Sequence, residues 1–206
     1  MDHILGFPFF GPLRRSEWKI DLFGPPGGKD ILEGMLRSHV LRREPIETLD
    51  GLEAQVGYRQ LREGVTVSCG EAVVTNARLN HPGGVTAYRV DFGGHSVVLA
   101  TDTEHFSCPD PKLTRLAEQA DLLIYDSTYA PDEYVGRSHR RSAAGLGHST
   151  FEQGAKIARA AGARHLVLFH HHPDRTDEQV RELETQCRKL FSESTAAREK
   201  MTIELL

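Results

Sequence analysis

The 206-residue sequence has only three cysteines, Cys69, Cys108 and Cys187, with no CxxC spacing. That excludes a disulfide-stapled scaffold and a cysteine-built structural zinc site. Three unpaired thiols suit a reducing cytoplasm, where the chain is expected to reside. No apolar run approaches the ~20 residues needed to cross a bilayer, so no membrane partner is expected. The N-terminus also lacks the basic stretch and apolar core of a secretory signal. Positive charge is not in excess: 25 Lys and Arg against 29 Asp and Glu give a net charge of −4. Tight binding to a long nucleic acid rests on clustered cations that neutralise phosphates, so this balance weighs against such a ligand while allowing a local basic patch.

What is abundant is histidine. The 11 histidines are about twice average usage for a chain of this length. Several stand beside carboxylates, glycines or the ends of apolar runs, where metal ligands and acid–base groups are found.

The pattern predicts a strand over 18–23 closed by Gly24-Pro25-Pro26-Gly27-Gly28, then a helix over 30–41 and a polar loop to Asp50. Short β-rich runs follow at 52–61, 65–68, 72–79, 86–92 and 95–100. Phe92-Gly93-Gly94-His95 reads as a two-residue hairpin. Beyond Thr101 the pattern changes to alternating units: helix 112–119, buried strand 122–125, a helix to Ala161 opened by a Ser149–Glu152 capping box, buried strand 165–169, helix 176–191 and a last strand at 202–206. Meandering β followed by alternating α and β implies layers of sheet and helix in one domain, with no linker or repeat.

Four acidic or histidine positions recur where strands give way to loops: His81, Asp102, Asp126 and His170. Strand ends opening onto loops are where sheet proteins place ligands and catalytic groups. Each alone has an ordinary explanation, such as a turn-capping Asp or an exposed histidine cluster at 170–172. Together they form an imidazole and carboxylate set without thiolate, which suits a hydrolytic zinc or manganese centre.

The order of these elements resembles the metallo-β-lactamase superfamily. Asp2-His3 followed by Ile4-Leu5-Gly6-Phe7 is similar to the second half of its HxHxDH signature. His81, Thr101-Asp102-Thr103, Gly147-His148-Ser149-Thr150 and Leu168-Phe169-His170 follow in the family's order. The GHST run and the Asp126-Ser127-Thr128 run are most similar to the branch of tRNA 3′-processing endonucleases and cyclic-phosphate phosphodiesterases. The resemblance implies an α/β fold, a four-layer αββα sandwich lacking its N-terminal strands, with residues 1–206 as a single, N-terminally incomplete domain. It carries catalytic roles to His148, Asp126 and Asp2, and metal ligation to Asp2, His3, His81, Asp102 and His170. Asp2, His3 and His170 would hold one ion, His81 the other, and Asp102 would bridge them. The implied reaction is cleavage of a phosphodiester by a metal-activated hydroxide, with His148 protonating the leaving oxygen and Asp126 orienting His148.

The first two histidines of the signature have no counterpart, because the sequence begins one residue before Asp2. The expectation is therefore two Zn2+ or Mn2+ ions in an intact site and one or fewer tightly bound here, with a mis-called start or a shortened gene as the cause and an exposed strand edge as the consequence. The alternative is an impaired remnant that binds one metal or a partner without turnover. The lack of a basic arm favours a small cyclic or nucleotide phosphodiester over nucleic acid, and a homodimer is allowed. His105 is read as an exposed loop histidine ahead of a group that supports the ligands or meets substrate, His171 and His172 as solvent-facing or as neighbours that support His170, and Trp18 with Phe7 to Phe10 as core or pocket wall. The basic stretch at 137–141 is read as a solvated surface.

Overall fold

The computed structural model describes residues 4, 6–37, 48–137 and 141–205. It divides into two compact units, residues 1–62 and 63–206. In the first, β1 (Lys19–Gly24) pairs in parallel with β2 (Gln55–Gln60), and α1 (Gly28–Leu36) lies between them in sequence. Leu13, Leu32, Leu36, Leu49 and Leu52 form its core, with Ile20, Leu22 and Val56 packed against them. Phe7 joins this core as expected, but Phe9, Phe10 and Trp18 are 66%, 51% and 46% exposed. Phe7–Phe9 is a single 3₁₀ turn, in which successive side chains point about a third of a turn apart. The Phe7 ring faces the leucines and the Phe9 ring faces outward.

The second unit is a seven-stranded mixed sheet in the order β3-β4-β5-β6-β7-β8-β9. The strands are β3 (Val67–Cys69), β4 (Ala72–Leu79), β5 (Val85–Phe92), β6 (His95–Ala100), β7 (Leu122–Asp126), β8 (His165–Phe169) and β9 (Ser194–Ala196). β3 to β6 form an antiparallel meander, and β6 to β9 run parallel. Parallel neighbours need crossovers, supplied by α2 (Pro111–Leu116), by α3 (Pro131–Tyr134) with α4 (Phe151–Ala161), and by α5 (Asp177–Leu190). The helices begin where side chains can accept from free N–H groups. Asp110 accepts from Lys112 and Leu113, and Thr176 from Gln179.

Leu123, Tyr125, Leu166 and Leu168 are buried in the sheet against Ala155, Ile157 and Ala158 of α4 and Cys187 of α5. Gly154 is what lets α4 approach: a Cβ there would lie 2.8 Å from the ring of Tyr125. Three local expectations are corrected. α4 is capped by the Thr150 hydroxyl accepting from Gln153 N–H, rather than by a Ser149–Glu152 box, because Ser149 Oγ is engaged with Tyr125 and His105. The last strand is Ser194–Ala196, pairing with β8, and 202–205 is not a strand. α1 begins at Gly28 and ends at Leu36, and residues 38–47 lie outside the described ones. Among the described residues, no helix is long and apolar enough to cross a membrane.

The register positions the site. β4 is antiparallel to β5, and β5 to β6, so β4 runs parallel to β6, which is parallel to β7 and β8. All four therefore end on one edge of the sheet, and His81, Asp102, Asp126 and His170 stand there together.

Candidate functional site

Asp126 ends β7 with its side chain fully buried. A carboxylate removed from water must be satisfied by hydrogen bonds, and this one is. Oδ1 accepts from Ser149 N–H at 3.0 Å, Thr128 N–H at 3.2 Å and Thr128 Oγ1 at 2.9 Å, and Oδ2 accepts from His148 Nδ1–H at 3.0 Å. That last bond puts the Nδ1 proton on the Asp126 side and turns Nε2 of His148 to the site. The hydrogen bond to Asp126 holds the His148 pKa above the ordinary histidine value, against burial, which acts the other way. His148 is thus an oriented imidazole that retains a second proton more readily than a free one.

His170 is fixed by parallel logic. The Thr128 hydroxyl has one proton, and both Asp126 Oδ1 and the His170 carbonyl, at 2.8 Å, stand ready to accept it. His170 Nδ1, 3.1 Å from Thr128 Oγ1, is then the donor, and Nε2 is the ring nitrogen that carries no proton. That nitrogen faces Asp102 Oδ1 at 3.3 Å. Two acceptors so placed can share a cation. Ligands about 2.0–2.1 Å from one ion in tetrahedral array are themselves separated by nearly this distance. Both residues adopt left-handed backbone, φ 53° at Asp102 and 57° at His170, an arrangement that costs folding energy and clusters at functional sites.

The ligand atoms of His81, Asp102 and His148 lie within 4.8 Å of one another, as do those of Asp126, His148 and His170. The donor set is nitrogen and oxygen without sulfur, so the residues present fit a divalent cation of the zinc or manganese kind. His81 is the weaker donor of the set. Its Nδ1 takes a long 3.3 Å bond from Gly83 N–H, which puts the neutral ring's proton on Nε2, and ligation through Nε2 requires that contact to break. The His81 ring edge packs on Gly147, where a Cβ would lie 2.5 Å from Cδ2. Of the sequence-derived site residues, His81, Asp102, Asp126, His148 and His170 come together. Asp2 and His3 lie outside the described residues.

Residues outside that set support this arrangement. Glu104, buried, accepts from Tyr134 Oη at 2.6 Å, Gly145 N–H at 2.7 Å and Gly147 N–H at 3.0 Å, clamping the loop that delivers His148. Burial alone would raise its pKa, and these three donors together hold it below the ordinary carboxylate value. His105 is half-buried rather than exposed. Its Nδ1 is hydrogen-bonded to Ser149 Oγ at 2.9 Å, and Ser149 Oγ to Tyr125 Oη at 2.8 Å, with burial depressing the His105 pKa. His171 and His172 are also half-buried, and His171 Nε2–H donates to the Ala197 carbonyl at 3.2 Å. For Glu104, its place directly after Thr101-Asp102-Thr103 was the signal in the sequence.

Residues 1–171 match the family profile described as a beta-lactamase superfamily domain. Ribonuclease Z of Gemmatimonas aurantiaca is 37% identical over 98% of this chain and 51% of its own length, and ribonuclease Z of Exiguobacterium sibiricum is 28% identical over 94% and 75%. The chain spans 78% of the length of ribonuclease BN of Cronobacter sakazakii and 28% of that of ribonuclease Z of Myxococcus xanthus. The metallo-β-lactamase fold protein YhfI of Bacillus subtilis superposes with a TM-score of 0.70 at 19% identity, covering 96% of this chain and 70% of that one. The α/β fold read from the sequence is thereby borne out. The chain belongs to the metallo-β-lactamase superfamily of hydrolases, in its ribonuclease Z-like branch.

Proposed function

We propose that this protein is a metal-dependent phosphodiesterase in which His148 is the general acid, and that its substrate is an RNA phosphodiester. The observation that carries the reading is the pairing of two features a ring's width apart. One is a histidine held by a buried carboxylate, Asp126 Oδ2 to His148 Nδ1 at 3.0 Å. The other is the cation-seeking contact of Asp102 and His170. In this reading Asp102 and His170 hold the divalent ion, Zn2+ or Mn2+, with His81 beside them. Asp2 and His3 contribute by their match to the family motif, and Asp2 is counted with the catalytic groups. When bound, the cation supplies Lewis acidity toward phosphoryl oxygens and makes water a competent nucleophile at neutral pH.

The chain's own residues handle the proton. Asp126 fixes the His148 ring and favours its imidazolium form, which transfers the Nε2 proton to the departing alkoxide. The Glu104 clamp keeps the His148 loop in place while this happens. The ribonuclease names of the relatives favour RNA over the small cyclic diester that the charge balance suggested. The same reading takes residues 1–206 as one catalytic domain acting in a reducing cytoplasm.

The test is hydrolysis of bis(p-nitrophenyl) phosphate and of a 3′-extended RNA, each with zinc or manganese and again after chelation. Metal-dependent cleavage of both supports the reading. Cleavage of neither, by a folded chain that has taken up metal, sinks it.

A further inference from the structure

A cavity of about 230 Å3 opens beside His148, walled by Tyr129, Leu146, His172, Arg175 and Gln179 among others. The Tyr129 ring centroid is 6.3 Å from that of His148 and 6.0 Å from that of His172. An aromatic wall therefore starts one ring away from the acid. The structural duty at position 129 falls to its backbone, whose N–H donates to Ser149 O at 3.0 Å and which bridges to Thr150. The ring is outside the hydrophobic core of this unit. Leu146, on the loop leading to His148, is apolar yet 57% exposed. Arg175 is 6% exposed and spends Nη2 on Glu133 and the Thr128 carbonyl. Its Nε is buried with no hydrogen-bond partner among the described residues.

We propose that this cavity is a nucleobase subsite, taking the base of the nucleotide next to the scissile phosphate with its face on Tyr129. The inference rests on the phosphodiesterase reading above and adds the part of the substrate that lies beside the reacting group. The cavity is smaller than the roughly 300–1,000 Å3 of whole small-molecule sites, which suits one planar ring system. The phosphate then lies at the His148 and His170 rings. Stacking on an aromatic face serves any base, because every base has a π-face. The Gln179 amide offers a donor and an acceptor on one group for the base edge. An acyl chain would meet the Glu133 and Arg175 charges in the same wall, so the chemistry favours a heteroaromatic ring over a lipid.

Calorimetry on the full chain, comparing adenosine 5′-monophosphate with ribose 5-phosphate, isolates the contribution of the base from that of the phosphate. The wild type and Tyr129→Phe bind the nucleotide roughly 5- to 150-fold tighter than the sugar phosphate, the range expected of one stacked base. Tyr129→Leu, which keeps apolar bulk, loses that preference. Equal affinities in the wild type overturn the subsite, as does a preference that survives Tyr129→Leu in a protein with an unchanged melting temperature. Because neither ligand is a diester, the result is independent of turnover. Hydrolysis of bis(p-nitrophenyl) phosphate, which has no base, judges the catalytic reading separately.

Discussion

The imidazoles of His148 and His170 lie face to face, 4.9 Å between centroids and 17° from parallel. Asp126 reaches toward both, its Oδ2 3.0 Å from Nδ1 of His148 and 3.7 Å from Nδ1 of His170. One buried carboxylate thus reaches both the proposed general acid and a candidate metal ligand. Asp126→Asn is expected to reduce kcat/KM and metal affinity together, each by about 10–100-fold, the usual cost of losing an outer carboxylate partner. Turnover and metal titration on the same preparation check this, and an effect on only one of the two would argue against the shared role.

His148→Ala separates the acid from the metal. Removing a positioned general acid costs about 10²–10⁴-fold in rate, while the Asp102–His170 contact is untouched. Metal content measured by elemental analysis is expected to stay at the wild-type value as phosphodiester turnover falls. Wild-type rates in this variant would falsify the assignment of His148.

Metal binding has its own readout in folding. An ion that binds the native chain at 100 times its dissociation constant stabilises by about 2.7 kcal/mol, which is several degrees of melting temperature in a chain of this size. Zinc or manganese is expected to raise Tm in the wild type but not in Asp102→Ala or His170→Ala. His81→Ala should keep most of the shift, since that ring is the weaker donor. The stoichiometry of the same titration decides between one ion and two.

Acid stability tests Asp121, at the entry to β7. Its Oδ2 accepts from Ser96 N–H at 2.7 Å and Oδ1 from Arg164 Nη1 at 2.7 Å. The Ser96 N–H foremost, followed by the Arg164 and His95 charges, holds its pKa below the ordinary carboxylate value despite opposing desolvation. A folded pKa below the unfolded one gives stability that is complete above the unfolded value of about 3.9 and is lost as pH falls through the folded value. Asp121→Asn should be less stable at pH 6 and show a shallower loss of Tm between pH 4 and pH 2. Parallel curves for mutant and wild type would rule this out.

Gly154→Ala tests the approach of α4 to the sheet. In an exposed helix interior this change stabilises by up to about 1 kcal/mol. Here the added methyl meets the fully buried Tyr125 ring, and overpacking costs about 1–3 kcal/mol. Denaturant unfolding should show net destabilisation, and a gain would mean that the ring yields freely.

The sequence made His81, Asp102, Asp126 and His170 legible because each directly follows an apolar strand, and parallel strands collect their ends on one edge. It did not show the roles of Glu104, His105 and Ser149, because their partners are remote in the chain. Glu104 holds Gly147, and His105 holds Ser149 44 residues away. No local pattern records a contact of that span. The strand Ser194–Ala196 was missed for a simpler reason: three small residues, two of them polar, have no alternation long enough to read. Ser149 and Thr150 could each have capped α4 by composition, and only the tertiary claim of Tyr125 and His105 on Ser149 decides between them.

The left-handed backbone at Asp102 and His170 sets evolution a choice between sturdiness and chemistry. Glycine would occupy either turn at less conformational expense, yet it would bring no atom to the proposed cation. A descendant released from selection for catalysis is therefore free to drift toward glycine at 102 and 170 and to become the more robust protein.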